Sequence, residues 1–590
     1  MKKKSTIRKV LSYIGRYKLL LPISILLAVA TVVFTLYVPV LIGDAITVIE
    51  GMVRGGGEAV NKAAFTELGD IFALAVLLIL ITAATQWLMS MINNRIAYHV
   101  AKDVRRDAFE KIEKLPLSYL DTHPHGDILS RTVNDTEQFS EGLLLGFTQL
   151  FTGIVTILGT LVLLFVLCWP VALVVLLLTP ISLFVSRFIA RRTFSTFREQ
   201  SAAKGAQTAL IDEMIGNEKI VKAFGYEDRA AERFDEANSR LGRISLKAIF
   251  SSSLVNPATR FINNVVYAVV ALVGALLIIN PISGAEAITV GTLSVLLAYA
   301  NQYTKPFNEI SGVITEFQNA LASADRVFDL IEAEEEVSDE DNETLDNATG
   351  NVSLSEVSFR YVPDKPLIDG LNLSVNPGQR IAIVGPTGCG KTTLINLLMR
   401  FYDVRGGSIK VDGVDVRALK RRSLRQGFGM VLQDTWLKDG TVRENIALAR
   451  PDATDEEILK AAKAAHAHSF IKRLPKGYDT VIGESVGGLS QGQRQLLSIA
   501  RIMLSLPPML ILDEATSSID TRTEMKIQDA FSEMMKGRTS FIVAHRLSTV
   551  KEADVILVMK AGAIVEQGSH EELLARHGFY YELYNSQFAH

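Results

Sequence analysis

Apolar residues crowd the first half of this chain and thin out in the second. A helix needs about 20 mostly apolar residues to cross a bilayer. Six segments meet that need: roughly 19–46, 69–96, 143–168, 169–190, 248–279 and 285–310. The third and fourth are parted only by Cys168-Trp169-Pro170, room for one tight turn. Runs such as 161–167 and 171–178 are uniformly apolar, without the polar face that a helix of a soluble protein keeps. Ahead of the first span, Ile7, Val10, Leu11 and Ile14 recur at helical spacing among Lys2, Lys3, Lys4, Arg8, Lys9, Arg16 and Lys18. That pattern predicts an amphipathic helix lying on the membrane face over residues 1–18. The apolar run after it is too long for the core of a signal peptide and lacks a clear small-residue cleavage site.

Lys and Arg set the orientation of spans. Residues 95–131 carry Lys102, Arg105, Arg106, Lys111 and Lys114, and residues 187–247 carry Arg187, Arg191, Arg192 and Arg198. Both stretches are expected in the cytoplasm, with the loops near 47–68, at Trp169 and at 280–284 outside. Each cytoplasmic stretch is helix-periodic with one break. The first break is Leu115-Pro116-Leu117-Ser118-Tyr119-Leu120-Asp121, closing at His123-Pro124-His125-Gly126; the second is Ala223-Phe224-Gly225-Tyr226-Glu227. Gln86, Asn256, Arg260, Asn263 and Asn264 are polar residues inside spans. They suit either a translocation path or helix–helix hydrogen bonds. Pro39 and Pro257 are placed to kink their helices.

Residues 331–350 are acidic and poor in large apolar side chains, which predicts a solvated connector. Asn134, Asn342 and Asn347 begin Asn-x-Thr sequons. All three fall on the expected cytoplasmic side, so no glycan is expected.

From residue 351 the pattern changes to short apolar strands alternating with helices. The strand 380–384 runs into Gly385-Pro386-Thr387-Gly388-Cys389-Gly390-Lys391-Thr392, and Thr393 continues into an apolar helix. Strand, glycine-rich loop and helix in that order make a phosphate site: backbone N–H groups and a helix N-terminus face the phosphates. Lys391 is placed for the β- and γ-phosphates of ATP and the Thr392 hydroxyl for Mg²⁺. A second buried strand, 509–512, ends in Asp513-Glu514. Asp513 is placed to hold Mg²⁺ through water, and Glu514 to orient or deprotonate the attacking water. Between the two motifs lies Leu489-Ser490-Gln491-Gly492-Gln493.

Composition narrows the classes further. The chain has 590 residues, a net charge of -3 and two cysteines, Cys168 and Cys389. Near-neutral charge gives no footprint for nucleic acid. Two distant cysteines make neither a disulfide framework nor a metal cluster. The mean hydropathy of +0.23 is unusual for a soluble enzyme.

A phosphate loop, an LSxGQ signature and an Asp-Glu strand end, following six spans, resemble an ATP-binding cassette (ABC) exporter half-transporter. The resemblance covers essentially the whole chain. It implies a multidomain membrane protein: an all-α six-helix transmembrane domain over 19–330, the linker 331–350, and an α/β P-loop ABC nucleotide-binding domain over 351–590. It implies that Tyr361 stacks on adenine, that Gln433 links Mg²⁺ and water to the membrane domain, and that His545 senses the γ-phosphate. Ser517, Ser518 and Asp520 match the loop crossing between two ATPase domains, and Glu484 matches a cross-domain contact. Leu117, Tyr119, Asp121, Gly225, Tyr226 and Glu227 fall where short coupling helices dock on the ATPase. Cys389, beside Lys391 and a helix N-terminus, is either a small residue tolerated in a loop that binds through its backbone or a candidate reactive thiol.

The resemblance implies ATP-driven export of a hydrophobic or amphipathic drug, lipid or peptide by alternating access. A lipid flippase and an importer built on the exporter fold are alternatives. From other classes, a soluble ABC ATPase acting on DNA is opposed by the spans, and a non-hydrolysing regulator by Glu514. The implied partners are a lipid bilayer and a second half-transporter. The implied location is the cell membrane, with the N-terminus and the ATPase in the cytoplasm. One departure stands out: the family's LSGGQ reads LSQGQ here, with Gln491 third. A signature closes over the phosphate loop of the other subunit, so Gln491 alters a site whose lysine and glutamate are the partner's. Uneven sites are typical of heterodimeric exporters, which favours a heterodimer over a homodimer.

Overall fold

The computed structural model describes residues 6–54, 62–280, 288–362, 364–432, 435–483, 488–513, 519–544 and 547–587. The chain forms two compact units, residues 1–114 with 123–334, and residues 115–122 with 335–590.

The first unit is helical. Its elements are α1 (Thr6–Ile14), α2 (Leu20–Arg54), α3 (Lys62–Ile112), α5 (His125–Ser130), α6 (Thr136–Leu145), α7 (Phe151–Leu167), α8 (Trp169–Gly216), α9 (Glu218–Ala223), α10 (Glu227–Ser253), α11 (Val255–Ile279) and α12 (Val290–Ile331). The short helix α4 (Leu117–Thr122) belongs to the second unit. Turns of π-helix at Arg131–Asp135 and Gly146–Leu150 join α5, α6 and α7 into one rod. Among the described residues, four stretches are long and apolar enough to cross a membrane: Leu20–Val53, Ala63–Ile112, His125–Leu167 and Glu227–Ile279. A shorter apolar run opens α8 at Trp169–Ile181. The sixth expected span is helical from Val290 onward, within α12, and carries Asn301, Gln302 and Lys305.

Several polar groups within the bundle are paired across helices. The Ser24 hydroxyl donates to Asn93 Oδ1 at 2.5 Å, and Asn93 Nδ2 donates to Thr148 Oγ1 at 3.3 Å. The Tyr299 hydroxyl donates to the Leu36 carbonyl at 2.7 Å. Without water, such groups must find partners inside the protein. Arg326 holds the buried carboxylate of Asp135 with two N–H donors. The amphipathic helix α1 is tied down by side chains. Thr6 donates to Asp325 at 2.7 Å, Lys9 pairs with Glu332 at 2.8 Å, and Tyr13 donates to Asp107 at 2.7 Å. Val10 and Ile14 are buried against the bundle, whereas Ile7 and Leu11 stay exposed.

The second unit holds two sheets. One carries β1 (Val352–Phe359), β2 (Ile368–Val375), β4 (Gly406–Val411) and β5 (Val414–Asp415), in the antiparallel order β2-β1-β4-β5. The other has the order β12-β11-β3-β10-β9-β6. Here β3 (Arg380–Val384), β6 (Phe428–Val431), β9 (Met509–Asp513), β10 (Thr539–Val543) and β11 (Val555–Lys560) run parallel. The edge strand β12 (Ala563–Gly568) is antiparallel, and β7 (Gly440–Thr441) with β8 (Val481–Ile482) forms a separate short pair. Period-2 alternation feeds two cores, one on each face of the parallel sheet. Ala382 and Val384 of β3 enter one core, and Ile381 and Ile383 the other. The helices are α13 (Lys391–Leu398), α14 (Arg421–Gln426), α15 (Val442–Ile446), α16 (Asp455–Ala464), α17 (His468–Ile471), α18 (Gln491–Ser505) and α19 (Thr521–Met535).

Residues 331–350 are mostly exposed, and residues 336–351 also lie strapped along the ATPase unit. Asp339 accepts from the Arg421 backbone N–H at 2.6 Å, and Arg421 donates to the Val337 carbonyl at 2.8 Å. Glu343 exchanges backbone bonds with Ala418 and Lys420 at 3.0 and 2.8 Å. Thr349 and Asn351 donate backbone N–H groups to the carboxylate of Asp412. Composition signals a lack of core-forming residues; it does not register that basic side chains and open backbone groups lie alongside to receive the acids.

Candidate functional site

The phosphate loop leaves the carboxyl end of β3, an inner strand of the parallel sheet, where open α/β sheets bind ligands. Two glycines shape it. Gly388 has φ +81° and nothing within 4 Å of where a Cβ would stand, so the loop opens outward there. Gly390 has φ +105° and is the N-cap of α13. Lys391 begins that helix. Its Nζ donates to the carbonyls of Gly385 at 2.7 Å and Pro386 at 3.2 Å, so the ammonium is held over the loop. Thr387 and Thr392 are exposed at the rim. An open backbone cradle, a helix N-terminus and a poised ammonium fit a polyphosphate.

Thr393 is turned away from the rim. It is buried, and its hydroxyl accepts from the Tyr361 hydroxyl at 3.4 Å. Cys389 is also turned inward: it is only 3% exposed and belongs to the core beneath the loop. This favours the tolerated small residue over the reactive thiol. The loop presents its backbone outward, so the side chain between Gly388 and Gly390 points into the sheet.

Asp513 ends β9 and pairs in register with Val543, which pairs with Ile383 of β3. The carboxylate thus stands level with the start of the phosphate loop, two strands across. It is partly exposed and has an interaction of its own. A hydroxyl at Thr392 and a carboxylate at Asp513 are the hard oxygen donors that suit Mg²⁺. Glu514, Ser517, Ser518, Gln433, His545 and Glu484 lie outside the described residues.

Tyr361 is 45% exposed. Phe359 and Tyr402 meet its ring edge-on, with centroids at 4.9 and 5.0 Å, which leaves ring area free for a base. Asn396 donates to its hydroxyl at 3.3 Å. Tyr402 is a residue that motif reading misses. Its hydroxyl donates to Asp121 of α4, the first expected coupling helix, so one aromatic cluster joins Tyr361 to that helix. Burial, then the bond to Asp121 and its charge, raises the Tyr402 hydroxyl well above the ordinary tyrosine value. An aromatic pair, Phe401-Tyr402, shortly after the phosphate-loop helix was the only signal in the sequence. In α4, Leu117 is 38% exposed and Tyr119 donates its backbone N–H to Pro116.

The second break is a helix stop. Gly225 has φ +58°, Tyr226 N–H donates to Val221 O at 2.9 Å and Gly225 N–H to Lys222 O at 3.3 Å. This is the Schellman arrangement that needs a left-handed residue after the helix. Glu227 starts α10 with an acid at its positive end. Ile220 and Phe224 are 56% and 84% exposed.

The signature forms the start of α18. Ser490 is the N-cap: its hydroxyl accepts from Gln493 N–H at 3.3 Å, and Gln493 Oε1 accepts from Ser490 N–H at 3.0 Å. This capping box leaves the first amides of the helix open. Leu489 packs against the core and Gln491 is exposed at the first helical position. Gly492 admits no side chain, since a Cβ would meet Ile519 at 3.0 Å and press into Thr523. Asp520 caps α19, accepting from Thr523 N–H at 3.0 Å, and those bonds hold its carboxyl below the ordinary range.

A helical region with membrane-spanning stretches, carried on the same chain as a phosphate-loop ATPase with a capped signature helix, defines an ATP-driven membrane transporter. The comparisons agree. Residues 21–307 match the family model described as the ABC transporter transmembrane region, and residues 368–517 match the model described as ABC transporter. The chain is 43% identical over 535 residues to the "Fatty acid ABC transporter ATP-binding/permease protein" of Mycobacterium bovis, covering 91% of this chain and 83% of that one. It is 36% identical over 517 residues to an "ATP-dependent lipid A-core flippase" of Syntrophus aciditrophicus, covering 87% and 85%. The solved structure of a bacterial Atm1-family ABC exporter with ATP bound superposes with a TM-score of 0.78 at 29% identity, covering 98% of this chain and 99% of that one.

The chain belongs to the ABC transporter family, among exporters that carry the membrane region and the ATPase on one polypeptide. It is a multipass membrane protein that binds ATP and couples its hydrolysis to transport, and such exporters act as dimers.

Proposed function

We propose that this chain is one half of a dimeric exporter that moves a hydrophobic or amphipathic substrate across the cell membrane by alternating access, with its ATPase in the cytoplasm. The observation that carries this reading is the open phosphate cradle, with Lys391 poised over it, on a chain with membrane-spanning stretches. The N–H groups of Gly388 to Thr392 bind the phosphates, Lys391 neutralises the β- and γ-phosphates, and Tyr361 stacks on adenine. Thr392, Asp513 and Gln433 are the donors that would hold Mg²⁺, which when bound supplies charge neutralisation between the phosphates. Glu514 orients the attacking water and accepts its proton, and His545 contacts the γ-phosphate. Two bound ATP molecules favour the closed pair of ATPase units, and the difference in affinity between closed and open states is what drives the change. The breaks at 117–121 and 225–227 pass that closure to the spans.

Gln491 favours a heterodimer in which this chain supplies the intact catalytic glutamate. The names of the fatty acid transporter and the lipid A-core flippase favour a lipid-like substrate over a peptide. The test is ATPase activity and particle mass of the chain purified alone in detergent, with Glu514→Gln as control. A dimeric, active preparation silenced by the substitution supports the ATPase assignment and makes a homodimer. A monomeric or inactive preparation, rescued by a second half-transporter, makes a heterodimer. Activity that survives Glu514→Gln would overturn the assignment of the base.

A further inference from the structure

Two helices of the membrane unit carry exposed polar residues. Residues three or four apart share a helix face. On α11, Phe261, Val265, Leu272 and Leu276 are exposed along one side, a surface suited to acyl chains. Arg260, Asn264 and Tyr267 are exposed along another, while Val266 and Val270 are buried on the packing side. Helix α12 packs against α11 and repeats the theme. Asn301 and Lys305 are exposed one turn apart, and between Gly291 and Phe307 no large apolar side chain is exposed. Charges and amides inside a membrane domain are costly against lipid and face water-filled paths instead.

The chemistry of this face has a sign. Among the described residues Arg260 makes no ion pair or hydrogen bond, whereas Lys305 has an interaction of its own. Among the described residues, the side-chain carbonyls of Asn263 on α11 and Gln302 on α12 are buried without a hydrogen-bond partner. A free guanidinium is built for a planar or tetrahedral oxyanion, which it grips with two N–H donors.

We propose that Arg260 anchors the anionic head group of an amphiphile, a carboxylate or phosphate, with Asn264 and Tyr267 of the same helix face bonding around it and the acyl chain lying on the apolar side of α11. This rests on reading the α11–α12 face as part of the export path. Arg260 rewards a single negative charge at one end of a long apolar body; it gives nothing to a neutral ligand and repels a cation.

The test uses the full-length protein in lipid nanodiscs, without nucleotide. A diazirine-bearing fatty acid is photocrosslinked, and labelled peptides of α11 and α12 are quantified against chain-matched competitors: decanoate, decyl phosphate, a neutral decyl glycoside and decyltrimethylammonium. The expected result is competition by the two anions far ahead of the others. Arg260→Gln should raise the half-competing anion concentration about tenfold, and Arg260→Lys less. The better of the two anions identifies the head group. Equal competition by the cation or the neutral compound overturns the proposal, as does an Arg260→Gln protein whose anion competition stays within about twofold of wild type. ATPase stimulation by the same compounds is measured separately. Labelling that obeys these rules without any stimulation keeps the head-group site and sinks the export reading. Stimulation by neutral or cationic compounds alone does the reverse.

Discussion

At the scale of single residues, the loop's geometry decides which motif positions do chemistry. Only Gly388, Thr387 and Thr392 are open at the rim, while Cys389 and Thr393 are buried. Cys389 should therefore alkylate slowly with N-ethylmaleimide, and at the same rate with or without ATP. Rapid labelling that ATP protects would restore the reactive thiol. The motif reading placed the cradle and Lys391 because phosphate binding needs glycines and a lysine at fixed spacing. It left open whether Cys389 is reactive or only a tolerated small residue, because spacing does not state which way a side chain turns, and its burial favours the second. Tyr402 was invisible for a related reason: it belongs to no motif, and its partner Asp121 lies 281 residues away. Tyr402→Phe keeps the ring cluster and removes one hydrogen bond, worth about 1 kcal/mol. We expect the KM for ATP to stay within about twofold while substrate-stimulated turnover falls several-fold. A tenfold rise in KM with unchanged stimulation would mean that Tyr402 serves the nucleotide alone.

At the scale of elements, the linker strap adds specific pairing to an exposed segment, and it leads toward the nucleotide site. Arg421 opens α14, α14 leads into β6, and β6 ends just before Gln433. Burial by itself would raise the Asp339 carboxyl; the bond from Arg421 N–H and the guanidinium's charge outweigh it and hold it below the ordinary carboxylate value. A depressed pKa contributes stability above the unfolded value, near 4, and that stability is lost as pH falls through the folded value. The bond to Asp339 is therefore at full strength at neutral pH and is lost only as the pH falls below the ordinary carboxylate range. Asp339→Ala removes the acceptor at neutral pH and leaves a nearly buried guanidinium short of a partner, at a cost of about 1–2 kcal/mol. The expected readout is an apparent Tm lower by a few degrees at pH 7, with the difference from wild type shrinking as pH falls toward 3. A difference that is constant with pH would show that the charge of Asp339 contributes nothing. The sequence carried the acids and the basic Arg417-Ala418-Leu419-Lys420-Arg421 run, but nothing in either states that they meet. The spans were legible because a bilayer demands long uniformly apolar runs, and the strands because burial imposes a short apolar pattern on each. The strap was not, because side-chain pairing leaves no period.

At the scale of the whole molecule, the argument turns on which sites a pair of chains can complete. Gln491 stands exposed at the first position of α18, over amides that the capping box leaves open, while Gly492 behind it is fixed by α19. A Gln there places a carboxamide where a glycine would leave bare backbone, so it should weaken closure over the phosphates it faces. Under the proposed arrangement those phosphates lie in the partner's site, and the site containing Glu514 is completed by the partner's signature. Gln491→Gly should then behave differently in the two assemblies. In a heterodimer whose partner lacks a catalytic glutamate, the change repairs a site that cannot hydrolyse, so maximal ATPase activity should stay within about twofold of wild type while ATP affinity at that site rises. In a homodimer the same change repairs both active sites, and turnover should rise several-fold. Steady-state ATPase titrations of the purified assembly, wild type beside Gln491→Gly, separate the two. A fall in turnover in either assembly would mean that the Gln carboxamide itself binds the nucleotide, and the departure from LSGGQ would then be a working part of the site.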